Sequence, residues 1–346
     1  MSIGPLDGFT IGVTADRRWK EQAELLERRG ARIMHGPSIS THYLGSDDNL
    51  RAATAEVIGQ GPDYLVATTG IGVRAWFEAA QAWGLENDLV AALRPARAVA
   101  RGPKAAAALK VAGLDTWQSV PSERVDEVIA VLTAQQLGDK LVAWQHYGEG
   151  NPTALDSLRR TGADVIEVPV YQWRLPDDDE PARRLVEAAC AGVLDAVTFT
   201  SAPAVANLMR IAEAHGLDED LKTTFNQRDV VAACVGPVCA QGAYAAGLDE
   251  PLTPATGRLG LLVRSLTEAM QSRRRELRYD GGSLVIQGCV ALVGQSVVRL
   301  SPRESAVLAA LVRRPGAVVS KSTLLSQVWP GGANDQHAVE TAVGRL

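Results

Sequence analysis

The sequence is poor in cysteine and contains no C-x-x-C pair. Its four cysteines, Cys190, Cys234, Cys239 and Cys289, are spaced for neither a zinc site nor a disulfide framework. They read as reduced, mostly buried thiols of a cytoplasmic protein, with no metal centre and no cofactor expected. No stretch approaches the roughly 18 consecutive apolar residues of a membrane span, so no membrane is expected among its partners. The opening Met-Ser-Ile-Gly-Pro-Leu-Asp-Gly lacks a basic region followed by an apolar core, which excludes a signal peptide there.

What is present is a chain of 346 residues with 46% hydrophobic content, enough for more than one packed domain. Net charge is −5 and uneven. From Gln271 to Leu346 there are 10 Lys and Arg against 5 Asp and Glu, a net of +5, whereas the remainder carries 25 against 35, a net of −10. A basic C-terminal part on an acidic body suggests that only the tail meets nucleic acid.

The body contains an internal repeat. Ala98-Val-Ala-Arg-Gly-Pro-Lys-Ala-Ala-Ala-Ala-Leu-Lys-Val-Ala-Gly-Leu114 matches Ala232-Ala-Cys-Val-Gly-Pro-Val-Cys-Ala-Gln-Gly-Ala-Tyr-Ala-Ala-Gly-Leu248 at an offset of 134 residues. Asp63-Tyr-Leu-Val-Ala-Thr-Thr69 matches Asp195-Ala-Val-Thr-Phe-Thr-Ser201 at an offset of 132. Each pair reads as a strand ending in hydroxyls, a helix, then a strand, a Gly-Pro turn and a helix. Alternating strands and helices predict parallel sheets covered on both faces. Ligands of such sheets sit at the carboxyl ends of the strands, where Thr68, Thr69, Thr200, Ser201, Gly102 and Gly236 fall. Helix N-termini there offer N–H donors to anions. Two lobes of this kind facing each other across a cleft suit a polyanionic small molecule; the alternative is a repeat kept for folding alone, with the hydroxyls as helix caps.

Elsewhere the pattern predicts strands at 11–15, 31–39, 64–67 and 140–144, and helices at 17–29, 50–58, 73–83, 125–132, 155–160 and 183–191. Ala163 to Trp173 reads as one long strand-like run containing Pro169. Pro176-Asp-Asp-Asp-Glu-Pro181 reads as a solvated acidic loop.

The body resembles uroporphyrinogen-III synthase over about residues 8–270. The likeness rests on Val13-Thr-Ala-Asp-Arg-Arg18, the turn at Thr68-Thr69, Lys140-Leu-Val-Ala-Trp144, Gly162-Ala-Asp-Val165, Val168-Pro-Val-Tyr-Gln172, Asp195 to Ser201 and the two Gly-Pro units. The resemblance implies two flavodoxin-like, doubly wound α/β lobes joined by a two-stranded ladder. One lobe would comprise residues 1–38 and 173–270 and the other residues 39–172, with crossing strands near 36–41 and 167–173. It further implies cyclisation of hydroxymethylbilane with ring inversion and loss of water, without cofactor. Tyr171 would be the residue assisting hydroxyl departure if the body is active. Arg18, Thr68, Thr69, Gly102, Lys104, Thr200, Ser201, Gly236 and Cys239 would contact the ligand. The sequence departs from the family where threonines follow the turns, placing Ala105 in one and Val238 with Cys239 in the other. Around 145–152 it carries Gln-His-Tyr-Gly-Glu-Gly-Asn-Pro in place of the family's arginines.

After Met270 the character changes. Arg273-Arg-Arg275 is a basic patch at the junction. Short alternating strands at 283–287, 290–293 and 296–299 precede Leu300-Ser-Pro-Arg-Glu304, in which Ser301 and Glu304 form a capping box around Pro302. A helix to about Arg313, a second from Thr323 to Val328 ending at Trp329-Pro-Gly-Gly332, and a third from near Asp335 follow. The third would turn Val339, Val343 and Leu346 inward and His337, Glu340, Thr341, Gly344 and Arg345 outward. This part, 275–346, resembles the winged-helix effector domain of OmpR/PhoB-type response regulators. The resemblance implies a recognition helix in the major groove, with His337, Thr341 and Arg345 at bases or phosphates and Ser320, Lys321 and Ser322 on the backbone. The sequence ends inside the third helix, before the hairpin wing, and no receiver domain with a phosphoacceptor strand precedes the module.

Together these features point to a one-component transcriptional regulator whose body binds a tetrapyrrole or similar anion and whose tail binds promoter DNA as a homodimer. It resembles the actinobacterial regulators of nitrate and nitrite assimilation. Two alternatives are an active synthase with a DNA-binding appendage and a body that serves only as an interaction scaffold.

Overall fold

A computed structural model describes residues 3–45, 47–146, 148, 150–227, 229–329 and 336–346. The expected start of the third module helix at Asp335, the Pro330-Gly331-Gly332 stop, and Tyr147 and Glu149 of the loop after Gln145 lie outside the described residues. The chain divides into two compact units, residues 1–40 with 175–346, and residues 41–174.

In chain order the first unit begins with β1 (Thr10–Val13), α1 (Trp19–Glu27) and β2 (Arg32–His35). The second is built from β3 (Ser40–Tyr43), α2 (Asp48–Gln60), β4 (Tyr64–Ala67), α3 (Gly70–Ala82), α4 (Glu86–Leu93), β5 (Arg97–Ala100), α5 (Pro103–Val111), β6 (Thr116–Ser119), α6 (Val125–Thr133), β7 (Leu141–Gln145), α7 (Pro152–Arg159), β8 (Asp164–Val168) and β9 (Tyr171–Arg174). The first resumes with α8 (Glu180–Cys190), β10 (Ala196–Phe199), α9 (Ala202–Ala214), α10 (Asp218–Asn226), β11 (Val231–Cys234), α11 (Pro237–Ala245) and α12 (Leu259–Gln271). It closes with β12 (Arg275–Tyr279), β13 (Gly282–Gln287), β14 (Val290–Val293), β15 (Ser296–Arg299), α13 (Pro302–Val312), α14 (Lys321–Val328) and α15 (Gln336–Gly344).

The second unit carries a five-stranded parallel sheet in the order β6-β5-β4-β7-β8, which doubles back between β4 and β7. β4 is buried along its whole length and sends alternate residues to opposite faces, as a central parallel strand must. Leu65 and Ala67 join a core with Trp76, Leu89 and Leu109, while Tyr64 and Val66 join another with Leu132, Trp144 and Leu158. The first unit repeats this plan with β11-β10-β1-β2, all parallel. Leu252 adds a parallel bridge to Ala233 on the outer side of β11, in the place that β6 takes beside β5. The doubly wound α/β architecture expected from the repeat is present in both.

Several boundaries differ from the sequence reading. The run from Ala163 to Trp173 is two strands in two sheets, β8 and β9, because Pro169 has no N–H to continue a ladder. The two-stranded ladder is β3 with β9, so it lies later than residues 36–41 and 167–173. Gly36 and Ser38 stay with the first unit, their N–H groups donating to Val13 and Thr14 carbonyls at 3.1 and 3.2 Å. The C-terminal module forms a four-stranded antiparallel sheet, β12 to β15, and three helices around Val307, Val328 and Ala342 and around Ala310, Leu324 and Val339. On α15 the inward residues are Val339 and Ala342, whereas Val343 and Leu346, expected inside, are 42% and 44% exposed. Among the described residues no helix is long and apolar enough to cross a membrane.

Candidate functional site

In the second unit the polar residues gather where the strand order reverses, at the carboxyl ends of β4 and β7, the usual ligand crevice of a doubly wound sheet. Gln145, the last residue of β7, is fully buried. Its side-chain oxygen accepts the N–H groups of Thr68 and Thr69, each at 3.1 Å, while its amide nitrogen donates to the His146 carbonyl. The Thr68 hydroxyl donates to the Gln145 carbonyl at 2.8 Å. Thr68 is therefore spent inside the turn, and its hydroxyl is not presented to a ligand as expected. Thr69 is half-buried and caps α3 by accepting the Gly72 N–H at 3.1 Å. Its hydroxyl also lies 3.4 Å from the Tyr171 hydroxyl. Tyr171 is 2% exposed and packs against Tyr43 and Trp173.

Gly70 brings this turn against the first Gly-Pro turn. A Cβ at Gly70 would stand 2.3 Å from the Lys104 carbonyl oxygen, so no other residue fits without movement of α5. Thr69, Tyr171, Gly102 and Lys104 thus belong to one neighbourhood, with the Lys104 side chain exposed and Ala105 buried. Among the described residues no side chain caps α5 at Gly102 or α11 at Gly236, whereas Thr69 and Ser201 cap α3 and α9. The repeat thus extends to its caps: in each repeated pair of helices the first start is capped by a hydroxyl and the second has no side-chain cap, the latter suited to an anion.

His146 was not singled out by the sequence. It is 8% exposed, and its Nε2 lies 2.7 Å from a Glu167 oxygen whose carboxylate also receives Arg159 at 2.5 Å. Burial pushes the Glu167 pKa up, but the hydrogen bonds from Arg159 and His146 outweigh it and hold the carboxyl below its ordinary value. Gln145 and His146 are the polar end of an otherwise apolar buried strand, the one local signal that could have marked them.

In the first unit the matching place is the end of β1 and β10. The Thr14 hydroxyl donates to the Thr198 carbonyl at 2.8 Å, and the Thr198 hydroxyl to the Gly12 carbonyl at 2.9 Å. Ser38 donates to the Ala204 carbonyl at 2.7 Å. All three are buried. Thr200 is exposed and Ser201 half-buried. Gly236 faces Gly257, whose Cα would lie 2.7 Å from any Cβ added there. Cys239 is 3% exposed and its thiol points at the Phe199 carbonyl, 3.5 Å away. A hydrogen bond with Cys234, and then burial, raise its pKa, so it stays a buried neutral thiol rather than an exposed ligand contact. Arg18, in left-handed backbone at the start of α1, is exposed and paired with Glu21 at 2.7 and 2.8 Å.

In the C-terminal module Ser301 and Glu304 form the expected capping box of α13. Arg303 donates to the Val328 carbonyl at 2.6 Å and stacks over Trp329, tying α13 to the end of α14. Ser320 caps α14 and contacts Ser322 at 2.9 Å. Lys321 is ion-paired to Glu340 of α15, and this pairing holds the Glu340 carboxyl below its ordinary value. His337 approaches the same carboxylate at 3.8 Å. Thr341 on α15 and Arg345 just after it are exposed. Lys321, Glu340 and His337 therefore form one charged group, which residue spacing alone could not assemble.

Comparison with known proteins places this geometry. The family description "Uroporphyrinogen-III synthase HemD" matches residues 20–263, and "Transcriptional regulatory protein, C terminal" matches residues 294–346. The uncharacterized protein YjjA of Bacillus subtilis is 28% identical over 269 residues, covering 77% of this chain and 97% of that protein. A putative uroporphyrinogen-III synthase of Methanothermobacter thermautotrophicus is 28% identical over 236 residues, covering 64% and 83%. A crystal structure of a mutant uroporphyrinogen III synthase from Thermus thermophilus is 31% identical with a TM-score of 0.63, covering 76% of this chain and 99% of that one.

Proposed function

The chain belongs to the uroporphyrinogen-III synthase HemD family, and from that premise we propose that it is a transcriptional regulator whose synthase-like body takes a tetrapyrrole or similar polyanion as its input. The observation that carries the reading is the joining, in one chain, of a synthase domain to the C-terminal domain of transcriptional regulatory proteins. The ligand would use the Thr69–Tyr171–Lys104 neighbourhood with the uncapped start of α5, where N–H donors and one lysine favour carboxylates; α11 offers the equivalent start in the other unit. Residues differing from the family bear on turnover rather than binding: Ala105 is buried and Cys239 is turned inward. The module would bind promoter DNA through Ser320, Lys321, Ser322, His337, Thr341 and Arg345, most simply as a homodimer on a symmetric site. Genes of nitrate and nitrite assimilation are the finer reading of its target, since sirohaem derives from uroporphyrinogen III.

The second reading, an active synthase with a DNA-binding appendage, is favoured by the buried Tyr171 hydroxyl beside Thr69. One pair of assays separates them. Hydroxymethylbilane is incubated with the protein and the uroporphyrinogen III isomer quantified, while uroporphyrinogen III is titrated against the thermal midpoint. A raised midpoint without turnover supports the sensor; conversion to the III isomer well above the spontaneous rate removes it.

A further inference from the structure

The C-terminal module rests on a built docking surface of the lobe formed by residues 1–40 and 175–270. Residues 4–10, which lead into β1, meet the turn between β13 and β14. Gln287, 1% exposed, donates from its side chain to the Gly4 carbonyl at 2.9 Å and to the Asp7 carbonyl at 2.8 Å. Gln271, at the end of α12, donates to the Pro5 carbonyl and contacts the Gln287 side-chain oxygen at 3.3 Å. The Cys289 N–H donates to the Gly8 carbonyl at 2.9 Å. Two glycines allow this approach. A Cβ on Gly8 would stand 2.3 Å from the Gln287 carbonyl, and one on Gly288 would stand 2.5 Å from the Gly8 carbonyl. Both have positive φ, +86° and +54°. Phe9 and Leu6 beneath the contact are buried to within 1%. On the module side the Ser305 hydroxyl of α13 donates to the Gly288 carbonyl at 2.8 Å, linking the docked turn to the first helix of the DNA-binding fold.

The two strands under this surface are β1 and β10, neighbours in the sheet. Thr10, the first residue of β1, gives its N–H to the half-buried Asp195 carboxylate ahead of β10 at 2.7 Å. Four residues on, about 13 Å away at ~3.3 Å per residue, Thr14 follows the far end of β1 and its hydroxyl donates to the Thr198 carbonyl of β10. β1 therefore runs from the docked segment to the carboxyl end of the sheet.

We infer that the β13–β14 turn of the DNA-binding module is docked onto residues 4–10 as a fixed joint. The module is then not a tethered appendage, and lobe and module open together. The docking stands apart from the identity of the ligand, so it is tested without one. Full-length protein is digested with trypsin at native conditions, and cleavage within the junction at Arg273, Arg274, Arg275 and Arg278 is timed for wild type and Gln287→Ala. Loss of the two clamp bonds is expected to speed junction cleavage about tenfold, the change that 1.4 kcal/mol of lost docking gives when opening is fast. Calorimetry of the same proteins is expected to show one shared transition in wild type and an earlier, separate module transition in Gln287→Ala. Gly288→Ala, which attacks the contact from the module backbone, should act in the same direction. Wild type releasing the module as fast as both variants, with two transitions already present, would overturn the joint.

Discussion

A half-buried carboxylate at this joint makes a quantitative test. Asp195 sits just ahead of β10, accepts the Thr10 N–H, and is surrounded by Arg273, Arg32 and, on the module, Cys289. Burial pushes its pKa from 3.8 up to about 6, although the Thr10 N–H and the two arginines pull the other way. The folded state therefore binds the Asp195 proton more tightly than the unfolded chain. That contribution is fully present below about pH 4 and is lost as pH rises through about 6. A shift of about 2 units at 1.36 kcal/mol per unit amounts to about 3 kcal/mol between those limits. Asp195→Asn keeps an oxygen acceptor for Thr10 and never ionises. Urea unfolding of both proteins at pH 4, 5, 6 and 7 isolates this group, because every other carboxylate cancels in the difference. Stability of the variant relative to wild type should grow by about 2.4 kcal/mol from pH 4 to pH 7, most steeply near pH 5 at about 1.2 kcal/mol per unit. A difference that is flat with pH, or that falls as pH rises, would show that Asp195 keeps its ordinary carboxylate pKa or a lower one in the folded state.

Gln145→Ala leaves two buried N–H groups, those of Thr68 and Thr69, without their acceptor, and should cost about 2–5 kcal/mol in urea unfolding. Gln145→Glu keeps the acceptor and should fold better than the alanine variant in the same assay. Tyr171→Phe removes the hydroxyl and its long, 3.4 Å contact to Thr69 and should change stability by under about 1 kcal/mol. If the body turns over hydroxymethylbilane, the same variant should lose most of that activity in an isomer assay. Arg345→Ala should weaken binding to the protein's own upstream DNA in a gel shift, and wild-type affinity should fall steeply between about 50 and 200 mM salt. Equal binding by both proteins would remove Arg345 from the interface.

Much of the architecture was legible because it repeats. The hydroxyl-ended strands at 63–69 and 195–201 and the two Gly-Pro turns identify neighbouring parallel strands in each lobe, and β4–β5 and β10–β11 are such pairs. The capping box at Ser301 was equally plain, since its partners are three residues apart. Helices α4, α10 and α12 and strands β6 and β12 were missed. β12 was hidden by Arg273-Arg-Arg275, which reads as a charged linker although Arg275, Leu277 and Tyr279 alternate with Glu276 and Arg278. The candidate site was the least legible part. Gln145 meets Thr68 and His146 meets Glu167 across 77 and 21 residues, so only the sheet register brings them together. The inward turn of Thr68 and Cys239 follows from partners on adjacent strands for the same reason. Helical spacing points Val343 and Leu346 inward, but α13 and α14 cover a narrower stripe of α15, and Ala342 takes that place.

If the proposed sensor role holds, a tetrapyrrole on the body changes what the module does on DNA. The direct measurement is the dissociation constant of the full chain for its own upstream region, taken by fluorescence anisotropy with and without saturating uroporphyrinogen III at fixed salt. The account predicts a shift of about fivefold or more, in either direction, which corresponds to about 1 kcal/mol of coupling between the sites. An unchanged dissociation constant, with uroporphyrinogen III shown to be bound, would contradict it.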